Sequence, residues 1–245
     1  MTEHNFRAMR RAMVASQLRT TGVSDPRVVA AMGAVPRELF VPTERLPLAY
    51  ADALVPLKPG RALNTPMALG RLLTEARPHP SDRALVVGAA TGYAAAVLAR
   101  LVGHVVALEE DEELAARIRA ALAQLSNYAG DGMIAGHELE SDEGRAASRP
   151  LELAGFEVVR GPLAKGWKKG APYDLILIDG AVEQVPKALT EQLADGGRLA
   201  TGLIEDGVSR LCLGRKAGDG FGLIAFADAA SSILPGFEKP RAFTF

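Results

Sequence analysis

The stretch Ala84-Leu85-Val86-Val87-Gly88-Ala89-Ala90-Thr91-Gly92-Tyr93 constrains this chain more than any other. Four apolar residues closed by glycine read as a strand buried on both faces, as in a parallel sheet, since a strand with one wet face alternates apolar and polar residues. A turn of small residues follows, and then a strong helix former over residues 94–101. The rhythm repeats. Val105-Val106-Ala107-Leu108 is a second buried strand, and Leu114, Ile118, Leu122 and Leu125 form a helical stripe. Residues 156–159, 175–178 and 198–201 are further strand candidates, with a helix expected over 185–193. Strands separated by helices predict an α/β fold of Rossmann-like type: a doubly wound, mostly parallel sheet with right-handed crossovers.

In such a sheet, ligands bind at the carboxyl ends of the strands where the strand order reverses. Gly88, Ala89, Ala90 and Gly92 let a ligand approach the backbone closely, and the start of the helix at Tyr93 favours a negative group such as a cofactor carboxylate. Glu109 ends the second strand, 21 residues after Gly88, where its carboxylate can accept both hydroxyl hydrogens of a ribose; Glu110 follows it. Turn and acid together point to S-adenosylmethionine. No Lys-Ser or Lys-Thr follows the glycines, which excludes a P-loop, and the longer Gly-x-Gly-x-x-Gly spacing of a nicotinamide site is missing. A tight strand-to-helix connection with no ligand remains the alternative for the turn alone.

Ahead of this core, Phe6, Met9, Met13, Val14 and Leu18 have helical spacing, with a stop near Gly22. Ser24-Asp25-Pro26 marks a second helix start, with Gly33 as its stop. Residues 36–66 are proline-rich with little periodicity, and are expected to form an ordered loop with short strand pieces. The expected organisation of the 245 residues is one domain: an N-terminal helical extension and active-site loop (1–80), a cofactor-binding core (81–230) and a tail (231–245). Residues 126–150, rich in Gly, Ser, Asp and Glu, read as a surface insertion. The tail carries Ile233, Leu234, Phe237, Phe243 and Phe245, and is expected to pack on the sheet or on a second copy in a homodimer.

A formal charge of −1, with Lys and Arg spread along the chain, argues against nucleic acid as a partner. The single cysteine, Cys212, lies between leucines and reads as a buried apolar residue, and the four histidines lack metal-ligand spacing, so no metal is expected. Residues 1–11 are polar and no run is long enough to span a bilayer, which gives the expectation of a cytoplasmic protein with no membrane partner.

Several phrases carry a broader likeness. Gln17-Leu18-Arg19, Gly22-Val23, Val35-Pro36-Arg37-Glu38-Leu39-Phe40-Val41-Pro42, Ala49-Tyr50-Ala51-Asp52, the turn from Gly88 to Tyr93, Pro172-Tyr173-Asp174 and Gly196-Gly197 occur in the order found in the protein-L-isoaspartate O-methyltransferase family, which the chain resembles over most of its length. The resemblance implies a class I methyltransferase fold and transfer of a methyl group from S-adenosylmethionine to isoaspartyl carboxylates of damaged proteins or peptides. It also implies site residues. Where the family has Thr-Ile-Ser-Gln-Pro, this chain has Ala62-Leu63-Asn64-Thr65-Pro66, which puts Asn64 at the active-site serine and Thr65 beside it. The family's acid before the turn is Val86, its middle glycine is Ala90, and its aspartate near the adenine is Pro162. Asp179 stands at a strand end where the family has a small or hydroxyl residue.

Methyl transfer to a carboxylate already ionised near neutral pH needs positioning more than a strong base. Asn64 can offer amide N–H groups to a substrate carboxylate and Thr65 a hydroxyl; the alternative is that both cap the helix that follows. Asp179 beside the donor would stabilise a sulfonium and repel an acidic acceptor, or it is an Asp-Gly turn. Arg37 and Glu38 read as a surface or interdomain ion pair, with a place in the substrate cleft as the alternative; Tyr50 and Asp52 resemble family residues near the active-site loop, and a loop-ordering hydrogen bond accounts equally well for Asp52. The departures leave two alternatives open, a methyltransferase with another acceptor and a binding protein without catalysis.

Overall fold

A computed structural model describes residues 5–127 and 155–239. Its main sheet has seven strands in the spatial order β5-β4-β3-β6-β7-β8-β9, where β3 is Arg83–Val87, β4 His104–Glu109, β5 Phe156–Arg160, β6 Tyr173–Val182, β7 Leu193–Glu205, β8 Val208–Ala217 and β9 Gly220–Asp228. The first five strands in that order pair in parallel and the last two join antiparallel, so the doubly wound, mostly parallel α/β architecture is the one observed. Order reverses between β3 and β6, and the register Val87↔Ile178 sets Gly88 beside Asp179 at that switch point.

Both faces of the central strands β3, β4 and β6 are buried, as their unbroken apolar runs require. Ala84 and Val86 face one core cluster with α3 (Pro66–Ala76), α4 (Tyr93–Leu98) and α5 (Glu112–Asn127); Leu85 and Val87 face another with Leu163, Leu189, Leu234 and Phe237. The α5 stripe Leu114, Ile118, Leu122 and Leu125 is buried, and the Asp111 carboxylate accepts from the Leu114 amide at the start of that helix.

The N-terminal extension begins with α1 (Phe6–Ala12), continues as π-helical Met13–Leu18 and 3-10 Arg19–Thr21, and stops at Gly22 with φ +86°. Next comes α2 (Pro26–Ala34), capped by Asp25 and with proline in its first turn. The proline-rich stretch forms 3-10 turns at Arg37–Phe40 and Thr43–Leu48 and an antiparallel hairpin of β1 (Val55–Lys58) and β2 (Arg61–Leu63).

Three expectations change. The helix expected over 185–193 is only Lys187–Thr190, because Pro186 starts it and β7 already begins at Leu193. Ser126 and Asn127 belong to α5, and the rest of the expected 126–150 insertion lies outside the described residues, as do Phe243 and Phe245. Strands β8 and β9 were not foreseen. Among the described residues no helix is long and apolar enough to cross a membrane, and no cluster of three metal-ligating side chains occurs.

Candidate functional site

The turn after β3 is shaped by backbone that favours glycine: Gly88, Ala90 and Gly92 have φ of +74°, +53° and +99°. The Gly88 and Ala89 amides both donate to the Leu108 carbonyl, at 3.0 and 3.1 Å, and the Ala90 amide donates to Glu109 Oε2 at 2.8 Å. Those three donors are thus engaged within the chain rather than offered to an anion. Tyr93 opens α4, but its ring lies in the core, edge-on to Phe40 and 4.6 Å beneath the Arg37 guanidinium.

Glu109 is fully buried. Its Oε1 accepts from Arg61 Nη1 (2.7 Å) and from the Glu110 and Asp111 amides (2.9 and 3.1 Å), while Oε2 accepts from Arg61 Nη2 (2.7 Å) and Ala90. A carboxylate has about four lone-pair positions. Five donors fill them, and Arg61, carried in by the β1-β2 hairpin, supplies the two-point pairing that ribose hydroxyls would otherwise make. No feature of the sequence singled out Arg61.

Asn64, at the end of the β2 loop, joins three elements. Its Nδ2 donates to Asp179 Oδ1 at 2.7 Å, its Oδ1 accepts from the Ser232 amide at 2.7 Å, and its carbonyl accepts from Arg37 Nη2 at 2.6 Å. Arg37 is completely buried, which corrects the expected surface pair; burial pushes its pKa down, against the attraction of the Asp179 carboxylate. Its neighbour Glu38 accepts from the Tyr50 hydroxyl. Asp179 and Gly180 lie inside β6, not at its end or in the expected Asp-Gly turn, because the strand runs on to Val182; the β6–β7 register shifts here, between Leu177 and Ala181, an irregularity that re-aims side chains. Burial raises the Asp179 pKa above the usual carboxylate value, and the Asn64 hydrogen bond and the Arg37 and Arg61 charges offset only part of that.

Thr65 is the N-cap of α3, its hydroxyl accepting from the Ala68 amide at 3.1 Å, and Asp52 accepts from the Met67 amide at 3.2 Å. Glu110 and Pro162 are exposed, Pro162 starting the 3-10 turn Leu163–Lys165. The structure therefore gathers Gly88, Asn64 and Asp179 at the switch point with Glu109 one strand away, and leaves Thr65 and Tyr93 in structural contacts.

The tail returns to this place. Ala181 donates to the Ser232 carbonyl (2.7 Å) and accepts from the Leu234 amide (2.9 Å), an isolated parallel bridge alongside β6, and the Ser232 hydroxyl accepts from the Ala62 amide at 3.2 Å. Leu234 is buried over the turn: a Cβ built on Gly88 would lie 2.8 Å from Leu234 Cδ1, and one on Gly180 2.5 Å from Leu234 Cγ. Turn and carboxylate thus fit S-adenosylmethionine in kind, while both Glu109 oxygens are engaged by Arg61 and backbone amides.

Known proteins agree on the fold and sharpen the family. A family model described as protein-L-isoaspartate(D-aspartate) O-methyltransferase matches residues 9–226. Protein-L-isoaspartate O-methyltransferase 1 of Rhodopseudomonas palustris (strain HaA2) is 35% identical over 195 residues, covering 80% of this chain and 69% of that protein. The Methanoregula boonei protein-L-isoaspartate O-methyltransferase is 38% identical over 190 residues, 78% and 76% of the two chains. A solved protein-L-isoaspartate O-methyltransferase superposes with a TM-score of 0.72 at 21% identity, over 93% of this chain and 66% of that one. A Plasmodium falciparum putative member, solved with S-adenosyl-L-homocysteine, gives 0.70 at 18% identity over 95% and 99%. With the family model spanning extension and core alike, and relatives above one-third identity over most of both chains, the chain belongs to the protein-L-isoaspartate(D-aspartate) O-methyltransferase family.

Proposed function

We propose that the chain is an S-adenosylmethionine-dependent methyltransferase that esterifies isoaspartyl carboxylates in damaged proteins or peptides. The observation that carries this reading is the convergence of the Gly88 turn, Glu109 at the end of β4, and the Asn64–Asp179 pair around the switch point of the sheet. When bound, S-adenosylmethionine supplies an electrophilic methyl group on a sulfonium. The chain's own residues would supply placement: Glu109 as the ribose acceptor once Arg61 yields its two-point pairing, the Gly88 turn for close approach, and Asn64 with Asp179 on the acceptor side. Asp179 is held there by Asn64 through Oδ1, and burial raises its pKa, which eases the repulsion that a carboxylate would exert on an acidic acceptor.

The test is incubation of the purified protein with labelled S-adenosylmethionine and an isoaspartyl peptide. Base-labile methyl ester is the expected product; its absence in a protein that demonstrably binds the cofactor contradicts this acceptor.

A second reading keeps the donor and changes the acceptor to an amine or hydroxyl, favoured by the Asn64 amide being held by Asp179. Under it, Asn64→Ser with Thr65→Gln brings no gain on the native amine or hydroxyl acceptor; a large gain contradicts it.

A further inference from the structure

We propose that Arg61 receives the carboxylate of the acceptor, and that it is freed for this task when the cofactor's ribose takes its place on Glu109; the inference rests on the cofactor and acceptor readings above. Arg61 stands between the two halves of the site. Its Nη1 and Nη2 hold Glu109 on the donor side, while Asp179, on the acceptor side, lies close enough for the two charges to act on each other. Asn64, three residues on, is bonded to that same Asp179. The arginine is almost wholly buried, at 8% exposure, yet its Nε has no hydrogen-bond partner among the described residues. A buried donor left unpaired is costly, and it marks a place for an acceptor atom that the chain alone does not supply.

Ribose hydroxyls are neutral, so they can replace the Arg61 hydrogen bonds on Glu109 but not the Arg61 charge. The Ala90, Glu110 and Asp111 amides go on serving the Glu109 carboxylate, whereas the freed guanidinium becomes a buried cation without a counter-ion, which is expensive. Asp179 answers that charge only in part, because burial favours its neutral form and its Oδ1 is committed to Asn64. A carboxylate on the acceptor completes the cluster, gripped by the planar guanidinium through two parallel bonds. The consequence is coupling between the ligands. A donor bound alone strands the Arg61 charge, and an acceptor arriving alone finds Arg61 engaged, so each ligand favours the other. A neutral amine or hydroxyl acceptor gains nothing from this arrangement. The β1-β2 hairpin that carries Arg61 is a two-stranded sheet separate from the main one, so the side chain can turn without breaking a strand pairing of the core.

The experiment is calorimetric titration of the full chain with S-adenosylhomocysteine, with an isoaspartyl peptide, and with the same peptide carrying an amide in place of that carboxylate. Saturating S-adenosylhomocysteine is expected to tighten the isoaspartyl peptide by at least about tenfold, an ordinary size for coupling between two sites, and to leave the amide peptide unchanged. Arg61→Met is expected to lose the coupling and to bind S-adenosylhomocysteine more tightly than wild type. Isoaspartyl peptide affinity that ignores S-adenosylhomocysteine overturns the inference, and so does tightening shared equally by the amide peptide; both are read on wild type and need no variant to fold. Coupling that persists in Arg61→Met, or S-adenosylhomocysteine binding no tighter there, overturns it as well. No binding of S-adenosylhomocysteine to wild type contradicts the cofactor reading, and its binding with no peptide bound contradicts the isoaspartyl reading; the inference falls with either. Binding of both ligands without coupling contradicts the inference alone.

Discussion

Arg61 and Glu109 form a two-point ion pair, Nη1 to Oε1 and Nη2 to Oε2, both at 2.7 Å, with the carboxylate wholly out of solvent. Removing one partner of a buried pair is costly because the other charge stays behind, about 3–5 kcal/mol. Arg61→Met is expected to lose stability in this range by urea unfolding, at its lower end because the Ala90, Glu110 and Asp111 amides still serve Glu109. Arg61→Lys recovers only part, since an ammonium cannot make the paired contact.

Asp179 sets a pH dependence whose sign follows from its raised pKa, caused first by burial. A carboxyl whose folded pKa lies above its unfolded value of 3.8 contributes stability that is fully present below 3.8 and is lost as pH rises through the folded value. Asp179→Asn keeps an acceptor for Asn64 and cannot ionise. Urea unfolding across a pH series is therefore expected to show wild type losing stability relative to Asp179→Asn as pH rises from below 3.8. The difference levels off once Asp179 is ionised in both states. A difference independent of pH contradicts the raised pKa.

Thr65 caps α3 through the Ala68 amide. Thr65→Ala is expected to cost about 1 kcal/mol, seen by calorimetry as a fall in Tm of about 2–4 °C for a chain of this size. Thr65→Ser, which keeps the acceptor, should restore most of it.

The parallel half of the sheet was legible because strands buried on both faces announce themselves as unbroken apolar runs closed by glycine, as Leu85 to Gly88 do. The antiparallel half was not, because β9 has one wet face and reads weakly: Ile224 is an exposed apolar residue on it. Yet a local signal was present. Asp206 and Gly207, with φ of +51° and +78°, form the two-residue turn that joins β7 to β8, and Asp-Gly is a strong hairpin dipeptide. At the site, Glu109 could be placed from its spacing to Gly88, because strand and turn lengths fix that geometry. Arg61 and Ser232 could not. Each meets its partner across 48 and 168 residues of sequence respectively, contacts set by how the hairpin and tail fold back rather than by any local pattern.

Equilibrium dialysis of labelled S-adenosylmethionine, run against the wild-type chain and Glu109→Gln, tests most directly whether Glu109 and the Gly88 turn form the cofactor site. Saturable binding of one equivalent to the wild type is expected, with at least about a tenfold loss in Glu109→Gln, the scale of a hydrogen bond to a charged group. No saturable binding to either protein, or binding that Glu109→Gln leaves unchanged, would contradict that assignment.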